Sequence, residues 1–475
     1  MHAALESKNL KTGFASLDDD RKVCSNEAVL IAGLEGIGGG KDLPSEGQPL
    51  LPDDESHPAD EQRAAPEEDT AVGRGRIAGD IFERKHGYIY PFLTVTEYYT
   101  DNVFNTPKGK KSDFITIITP GIEISVPRIK IKTIEINTTT VSPGGLALSR
   151  FKQDFFTRYQ AFLNYKVDIE KYGENDSENR ISHKLEGLLQ YNLRGGLSID
   201  VFDQYIDAYD DFGTNTKEVP NHYKSNLFGA VLAYDISERF KLRFDYNYNI
   251  VDYISSGSEF RDRTDNYYSG YLYYRFQPKT SAFVEYEYIT IDYDAGASLD
   301  SEETNIYGGL QWEATTKSRG LVKAGYGVKE FKDPEKGRNG GFIFEAQADH
   351  RLTPKTTLIF TASRKTNETD IDASFFMVTN SLGAKYMQKL TSKITGSLSF
   401  FYINNHYKGD LTYEDETKER EDDLFRFTAA IQYNIKEWLK TGIGYIYARR
   451  ESNFSAFDYT SNTIFFRITG LMRLF

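Results

Sequence analysis

Arg239-Phe-Lys-Leu-Arg-Phe-Asp-Tyr-Asn-Tyr-Asn-Ile250 carries an apolar or aromatic residue at every even position and a charged or amide residue at every odd one. A helix would scatter that pattern around its axis. A strand, with its side-chain period of two, sorts it into one greasy face (Phe240, Leu242, Phe244, Tyr246, Tyr248, Ile250) and one wet face. The same unit of ten to fifteen residues recurs from about residue 87 to the end of the chain. Short turns and longer, often acidic, loops separate the repeats alternately. This rhythm is the signature of a transmembrane β-barrel, whose strands face lipid on one side and a polar interior on the other.

Composition agrees. The 475 residues are only 39% hydrophobic, with a mean hydropathy of -0.54. No run of apolar residues is long enough for a helical membrane span. Barrel strands cross in about nine to eleven residues, of which only alternate ones need be apolar, so low mean hydropathy is expected. The 33 Tyr and 32 Phe against 2 Trp suit strands and interfacial girdles. A net charge of -13 argues against nucleic acid as a partner. The single cysteine, Cys24, excludes an internal disulfide and any Cys-cluster metal site within one chain. No secretory signal is legible: Met1-His-Ala-Ala-Leu-Glu-Ser-Lys8 lacks a basic stretch followed by an apolar one.

Residues 1–85 read as a disordered acidic tail on the periplasmic side, rich in Pro, Asp and Glu between Lys41 and Asp69. Residues 86–475 read as an up-and-down antiparallel barrel. Strands are expected near 87–101, 113–126, 156–171, 181–193, 196–209, 222–235, 239–253, 264–277, 281–294, 303–315, 319–332, 340–352, 356–368, 376–389, 393–407, 422–435, 438–451 and 461–475. That makes about eighteen, an even number that returns both ends to the periplasm. Residues 128–155 also alternate in part and are read as a periplasmic insertion; a count of about twenty is the rival. Asp410 to Glu421 is read as a long acidic loop.

Pro91-Phe-Leu-Thr-Val-Thr-Glu-Tyr-Tyr-Thr-Asp-Asn-Val-Phe104, Asp113-Phe-Ile-Thr-Ile-Ile-Thr-Pro-Gly-Ile122 and the terminal Phe475 resemble the β-barrel porin type 2 family of Gram-negative outer-membrane proteins. The resemblance covers roughly residues 86–475. It implies an outer-membrane conduit associated with exopolysaccharide export, with lipopolysaccharide, the barrel-insertion machinery and periplasmic export components as partners. The last strand departs from the family's pattern, because Arg467 and Arg473 interrupt the alternate positions counted back from Phe475.

For a channel the residues that matter face the lumen. The clearest candidates are Lys241, Arg243, Asp245, Asn247, Glu285, Glu287, Arg426 and Gln432, each opposite an apolar phase on its strand. Such a mixed-sign lining is expected to favour polar or weakly charged solutes; charges facing lipid would cost about 2–4 kcal/mol at the midplane. The same residues also suit a solvated inner wall with no selective role. Tyr88, Tyr98, Tyr99, Tyr267, Tyr268, Tyr445 and Tyr447 read as interfacial girdles or, if inward, a sugar-stacking track; one of Tyr98 and Tyr99 must point inward. No catalytic motif is legible: the histidines are scattered, and Gly-x-Ser-x-Gly and His-Glu-x-x-His are absent. The expected function is passage of polar solutes or secreted polysaccharide without cofactor or metal. The alternatives are a plugged structural or adhesion barrel, and a surface enzyme acting on lipid or glycan.

Overall fold

Alternation of this kind, repeated around a closed sheet, gives an eighteen-stranded antiparallel barrel. The computed structural model describes residues 89–126, 158–193, 195–209, 220–255, 257–296, 298–315, 318–369, 371, 374–413, 415–436 and 438–472. The expected tail and the expected 128–155 insertion lie outside the described residues. The strands are β1 Ile89–Thr100, β2 Asp113–Val126, β3 Tyr159–Tyr172, β4 Arg180–Asn192, β5 Leu197–Tyr209, β6 His222–Asp235, β7 Phe240–Tyr253, β8 Arg263–Gln277 and β9 Thr280–Tyr293. They continue as β10 Ser301–Thr315, β11 Ser318–Phe331, β12 Arg338–Thr353, β13 Thr356–Asn367, β14 Phe376–Lys389, β15 Ile394–Tyr413, β16 Glu416–Lys436, β17 Leu439–Ser452 and β18 Tyr459–Leu471.

Each strand pairs with its sequence neighbours, and β1 closes the ring on β18 with Phe92 opposite Leu471 and Thr100 opposite Thr463. Pairing of β2 directly with β3, Ile124 opposite Leu163, leaves no gap in the sheet for additional strands and removes the count of twenty. Closure matters because hydrocarbon cannot hydrate an open edge. One end of the barrel carries tight connections such as 278–279 and 354–355; the other carries longer ones such as 101–112 and 254–262.

Alternation maps onto the two faces as the pleat requires. On β7, Phe244 is 54% exposed on the outside while Asp245 beside it is 4% exposed inside. Leu93, Leu189, Leu272, Val322, Leu398 and Ile443 form part of an exposed apolar band on the outer surface. Exposed aromatics flank this band: Tyr159, Tyr191, Tyr234, Tyr274 and Trp438 toward the tight turns, and Tyr99, Phe114, Tyr268 and Tyr326 toward the long loops. A surface of this kind is stable only against lipid.

Two sequence expectations are corrected. Residues 410–421 are not a long loop: β15 and β16 run on as a hairpin past a bulge after His406, with Leu411 opposite Lys418 and Thr412 opposite Thr417. The extension is held because Leu411 is buried against Phe454 and Phe457 of the β17–β18 connection. On β18 the lipid-facing set is the even one, Ile464, Phe466, Ile468 and Met472. The odd positions turn inward, so Arg467 no longer interrupts the apolar phase; it donates to Thr96 Oγ1 at 3.0 Å and to the Tyr98 hydroxyl at 3.1 Å. The pair Tyr98 and Tyr99 divides between the faces as expected, Tyr98 buried inside and Tyr99 exposed outside; of the other tyrosines Tyr267 is buried inside, and Tyr268 and Tyr445 are exposed outside. Tyr447 shares the outer face of β17, and Tyr88 falls outside the described residues.

Glycine has a specific use on the inner face. Phe202 stands opposite Gly229, Phe283 opposite Gly309, Phe401 opposite Gly383 and Phe465 opposite Gly444. In every pair the ring lies where a Cβ on the glycine would be. The rings therefore lie flat on bare backbone, covering hydrogen bonds that glycine alone would leave unshielded. Gly444→Ala is expected to cost about 1–3 kcal/mol through overpacking, whereas Gly308→Ala, with open space around the added carbon, is expected to be neutral. Denaturant midpoints of the folded band on unheated gels distinguish the two; equal midpoints would remove the role assigned to the ring-on-glycine pairs.

Candidate functional site

The inner wall collects the polar phase of all eighteen strands, so it is where any solute chemistry must reside. Lys241, Arg243, Asp245 and Asn247 project inward from β7, Glu285 and Glu287 from β9, and Arg426 and Gln432 from β16. The first six share one arc of wall. Arg426 and Gln432 stand nine strands from β7 and seven from β9, on the opposite side of the ring.

Within the β7–β13 arc the charges are clamped together. Arg243 grips Asp245 through two hydrogen bonds of 2.7 Å and lies 5.2 Å from the centre of the Tyr271 ring. Glu285 and Glu287 converge on Lys323 of β11, at 2.9 and 3.2 Å, and Glu345 of β12 lies 3.8 Å from the same ammonium. The Tyr307 ring covers that ammonium, its centre 4.1 Å away. Lys365 of β13 bridges Glu345 at 2.8 Å, and Arg263 pairs with Asp265 at 3.2 Å. Between these ion pairs sit inward aromatic residues: Tyr271, Tyr273 and Phe283 form one cluster with Leu321, and Tyr267 and Tyr293 another with Ile289 and Ile291. Isolated charges in such surroundings would be costly; paired and hydrogen-bonded they become cross-links between strands.

At the long-loop end, the β13–β14 connection turns inward. Glu368 accepts hydrogen bonds from Lys329 of β11 at 2.7 Å and from the Tyr293 hydroxyl of β9 at 2.8 Å. Arg261, in the β7–β8 connection, donates to the carbonyls of Ile371 and Ser374, the latter at 3.2 Å. Ile371 packs on Met377 and Tyr407, and the Phe375 ring meets Phe331 edge-on at 6.3 Å. The connection is thus fastened to elements up to six strands distant. Burial alone would raise the Glu368 carboxyl, but Lys329 and Arg263 outweigh it and hold it below the usual glutamate range.

Sequence reading missed Lys323, Tyr307, Lys329, Glu368 and Arg261. On β11, Leu321-Val-Lys-Ala-Gly-Tyr-Gly-Val328 dilutes the alternation with glycine and alanine, so the phase that puts Lys323 inside is weak. Arg261 and Glu368 lie in connections, where no periodicity reports direction. Parity counted from the flanking strands would have found the lysines, but not the loop contacts.

A family model described as Putative beta-barrel porin 2 matches residues 138–470. No curated protein matches. Among solved structures the chain is similar to Acinetobacter baumannii OccAB3, at 8% identity over 81% of this chain and 99% of that one, TM-score 0.42. It is also similar to Pseudomonas aeruginosa OpdO, at 10% identity over 84% and 100%, TM-score 0.41, and to a mutant of the P. aeruginosa ferric enterobactin receptor PfeA, at 6% identity over 81% and 80%, TM-score 0.39.

Glu368→Ala would leave Lys329 buried without its carboxylate, at an expected cost of about 3–5 kcal/mol. The denaturant midpoint should fall, and single-channel current should become noisier as the β13–β14 connection loosens. In the unaltered protein the depressed pKa means that the bridge contributes fully above the unfolded value and is lost only as pH falls through the folded one. Current noise is therefore expected to stay constant from about pH 7 to about pH 5 and to rise only below about pH 4; a rise near neutrality would exclude this carboxylate as the cause.

Proposed function

The chain belongs to the Putative beta-barrel porin 2 family, and from that membership we propose that it is an outer-membrane conduit passing polar solutes, secreted polysaccharide among them, between periplasm and exterior. The observation that carries this reading is the division of the wall: an exposed apolar band outside and, inside, charged and amide residues interleaved with aromatic and aliphatic ones. A barrel of eighteen strands is wide enough for an aqueous interior, whereas the smallest barrels are filled by their own side chains. In this reading the tight turns and the N-terminal tail face the periplasm, and the long loops face outward. Lipopolysaccharide surrounds the outer leaflet, the barrel-insertion machinery assembles the sheet, and periplasmic export components deliver the polymer.

Lys241, Arg243, Asp245, Asn247, Glu285, Glu287, Arg426 and Gln432 line the proposed path. Their part is to hold water and set the local field; no covalent step, cofactor or metal enters the reading. The fastened β13–β14 connection favours a second form of the same idea, a conduit narrowed at its outer mouth and widened by a partner.

Swelling of proteoliposomes in isosmotic sugar solutions tests the proposal. The full chain is expected to admit monosaccharides, at rates that fall with solute size. No swelling from barrels that resist unheated detergent would refute an open conduit and leave the partner-opened form.

A further inference from the structure

The β13–β14 connection is fixed at both ends by strand pairing: Asn367 stands opposite Met377, and the Phe375 N–H donates to the Lys408 carbonyl at 2.7 Å. Between those ends it is held inward by Glu368, whose carboxylate takes the buried Lys329 ammonium at 2.7 Å. Yet Glu368 is not the carboxylate that the sheet places beside this lysine. In the register of β10 with β11 the residue directly opposite Lys329 is Glu303, buried on the same inner face and 4% exposed. Directly opposed residues have Cβ atoms about 4.5–5.5 Å apart, a separation that a lysine side chain spans. Glu303 Oε1 accepts from Asn305 Nδ2 at 2.8 Å. Glu303 Oε2 is buried with no hydrogen-bond partner among the described residues.

Arg261 repeats the pattern at the other anchor. Its Nη2 donates to the carbonyls of Ile371 and Ser374, but Nε and Nη1, equally buried, have no hydrogen-bond acceptor among the described residues. A buried donor or acceptor without a partner has lost its hydration and gained nothing in exchange. The fastened arrangement therefore contains two such defects, one at each anchor, and a single displacement relieves both. Withdrawal of the connection into the aqueous mouth hydrates Glu368, takes the two carbonyls off Arg261 and admits water to its guanidinium. Lys329, released from Glu368, turns to Glu303, which keeps the ammonium in an ion pair and supplies Oε2 with the donor it lacks.

We propose that Lys329 is the bolt of a latch at the outer mouth: paired with Glu368 it fastens the β13–β14 connection inward and narrows the path, and paired with Glu303 it lets the connection withdraw and widens the path. This supplies the regulation of the proposed conduit and rests on that reading. Glu303 is a positioning residue in the latch, acting only through Lys329. Because the ammonium has a carboxylate in either state, the two states differ less in free energy than a simple tether and its broken form would. A solute or partner shifts such an equilibrium only by its preference for one state, so near balance is what allows a modest preference to open the mouth.

Ser374 offers the probe. It is 1% exposed and its Oγ has no hydrogen-bond partner among the described residues, so Ser374→Cys sacrifices no bond and buries a thiol under the fastened connection. In the full-length protein, with the chain's one cysteine removed as Cys24→Ser, the rate of labelling by a hydrophilic maleimide reads withdrawal of the connection, and single-channel current in a planar bilayer reads the width of the path. Slow labelling is expected, with current stepping between a long-lived lower level and brief higher ones. Glu368→Gln is expected to speed labelling several-fold and lengthen the higher level. Glu303→Gln is expected to do the opposite, slowing labelling several-fold and shortening the higher level, because Lys329 loses its second carboxylate. Glu303→Asp, which keeps the charge, should label near the parent rate. Labelling that is unchanged or faster in folded Glu303→Gln overturns the exchange and leaves Glu368 a simple tether, and so does a Glu303→Asp variant as slow as Glu303→Gln. The two readings fail separately: a folded barrel that labels as expected but passes no current keeps the exchange and loses the conduit, whereas current without the expected shifts in labelling keeps the conduit and loses the latch.

Discussion

Everything in this molecule depends on one set of hydrogen bonds, those between β1 and β18. A strand in hydrocarbon has no water to satisfy its N–H and C=O groups, and each unpaired group costs several kcal/mol. The first and last strands of the barrel must therefore find one another across more than three hundred residues of chain, and the pairing of Phe92 with Leu471 through Thr100 with Thr463 is where they do so. Once the ring is closed the outside must be apolar and the inside must take the remainder, including charges that would be intolerable facing lipid. The distribution of polar residues is thus a consequence of closure as much as of any solute.

Much of this was readable in advance because side-chain period is a local property. The stretch from Arg239 to Ile250 declares its two faces without knowledge of its neighbours, and β7 appears where that pattern lies. Strand count and most boundaries follow for the same reason. Local reading failed where distant contacts decide. The β15–β16 hairpin runs beyond its expected ends because Leu411 meets Phe454 and Phe457, which no window around residue 411 contains. On β18 the phase was counted from Phe475, yet the register with β1 turns Phe465 and Arg467 inward.

The candidate lining was legible residue by residue but not as an arrangement. Alternation identifies Arg243, Glu285 and Arg426 as inward-facing, and nothing in it reveals that the first two share a cross-linked arc while the third stands on the opposite side of the ring. Which inward charges meet is a property of the ring. From β7 to β13 ion pairs and aromatic rings tie neighbouring strands together, and no single strand's sequence shows which of its charges meet.

The contacts of the β13–β14 connection have a mechanical meaning as well. Arg261 and Ile371 come from connections six strands apart in a ring of eighteen, about a third of the circumference. A cylinder of hydrogen-bonded strands deforms most easily by flattening into an ellipse, which requires opposite walls to approach and the intervening walls to part. The tie from Arg261 to Ile371, with Lys329 and Tyr293 holding Glu368 along the way, acts as a strut across that chord. Elastic breathing of the rim is then confined to the remaining circumference, which includes β14–β18, so the mouth is stiff on one side and compliant on the other.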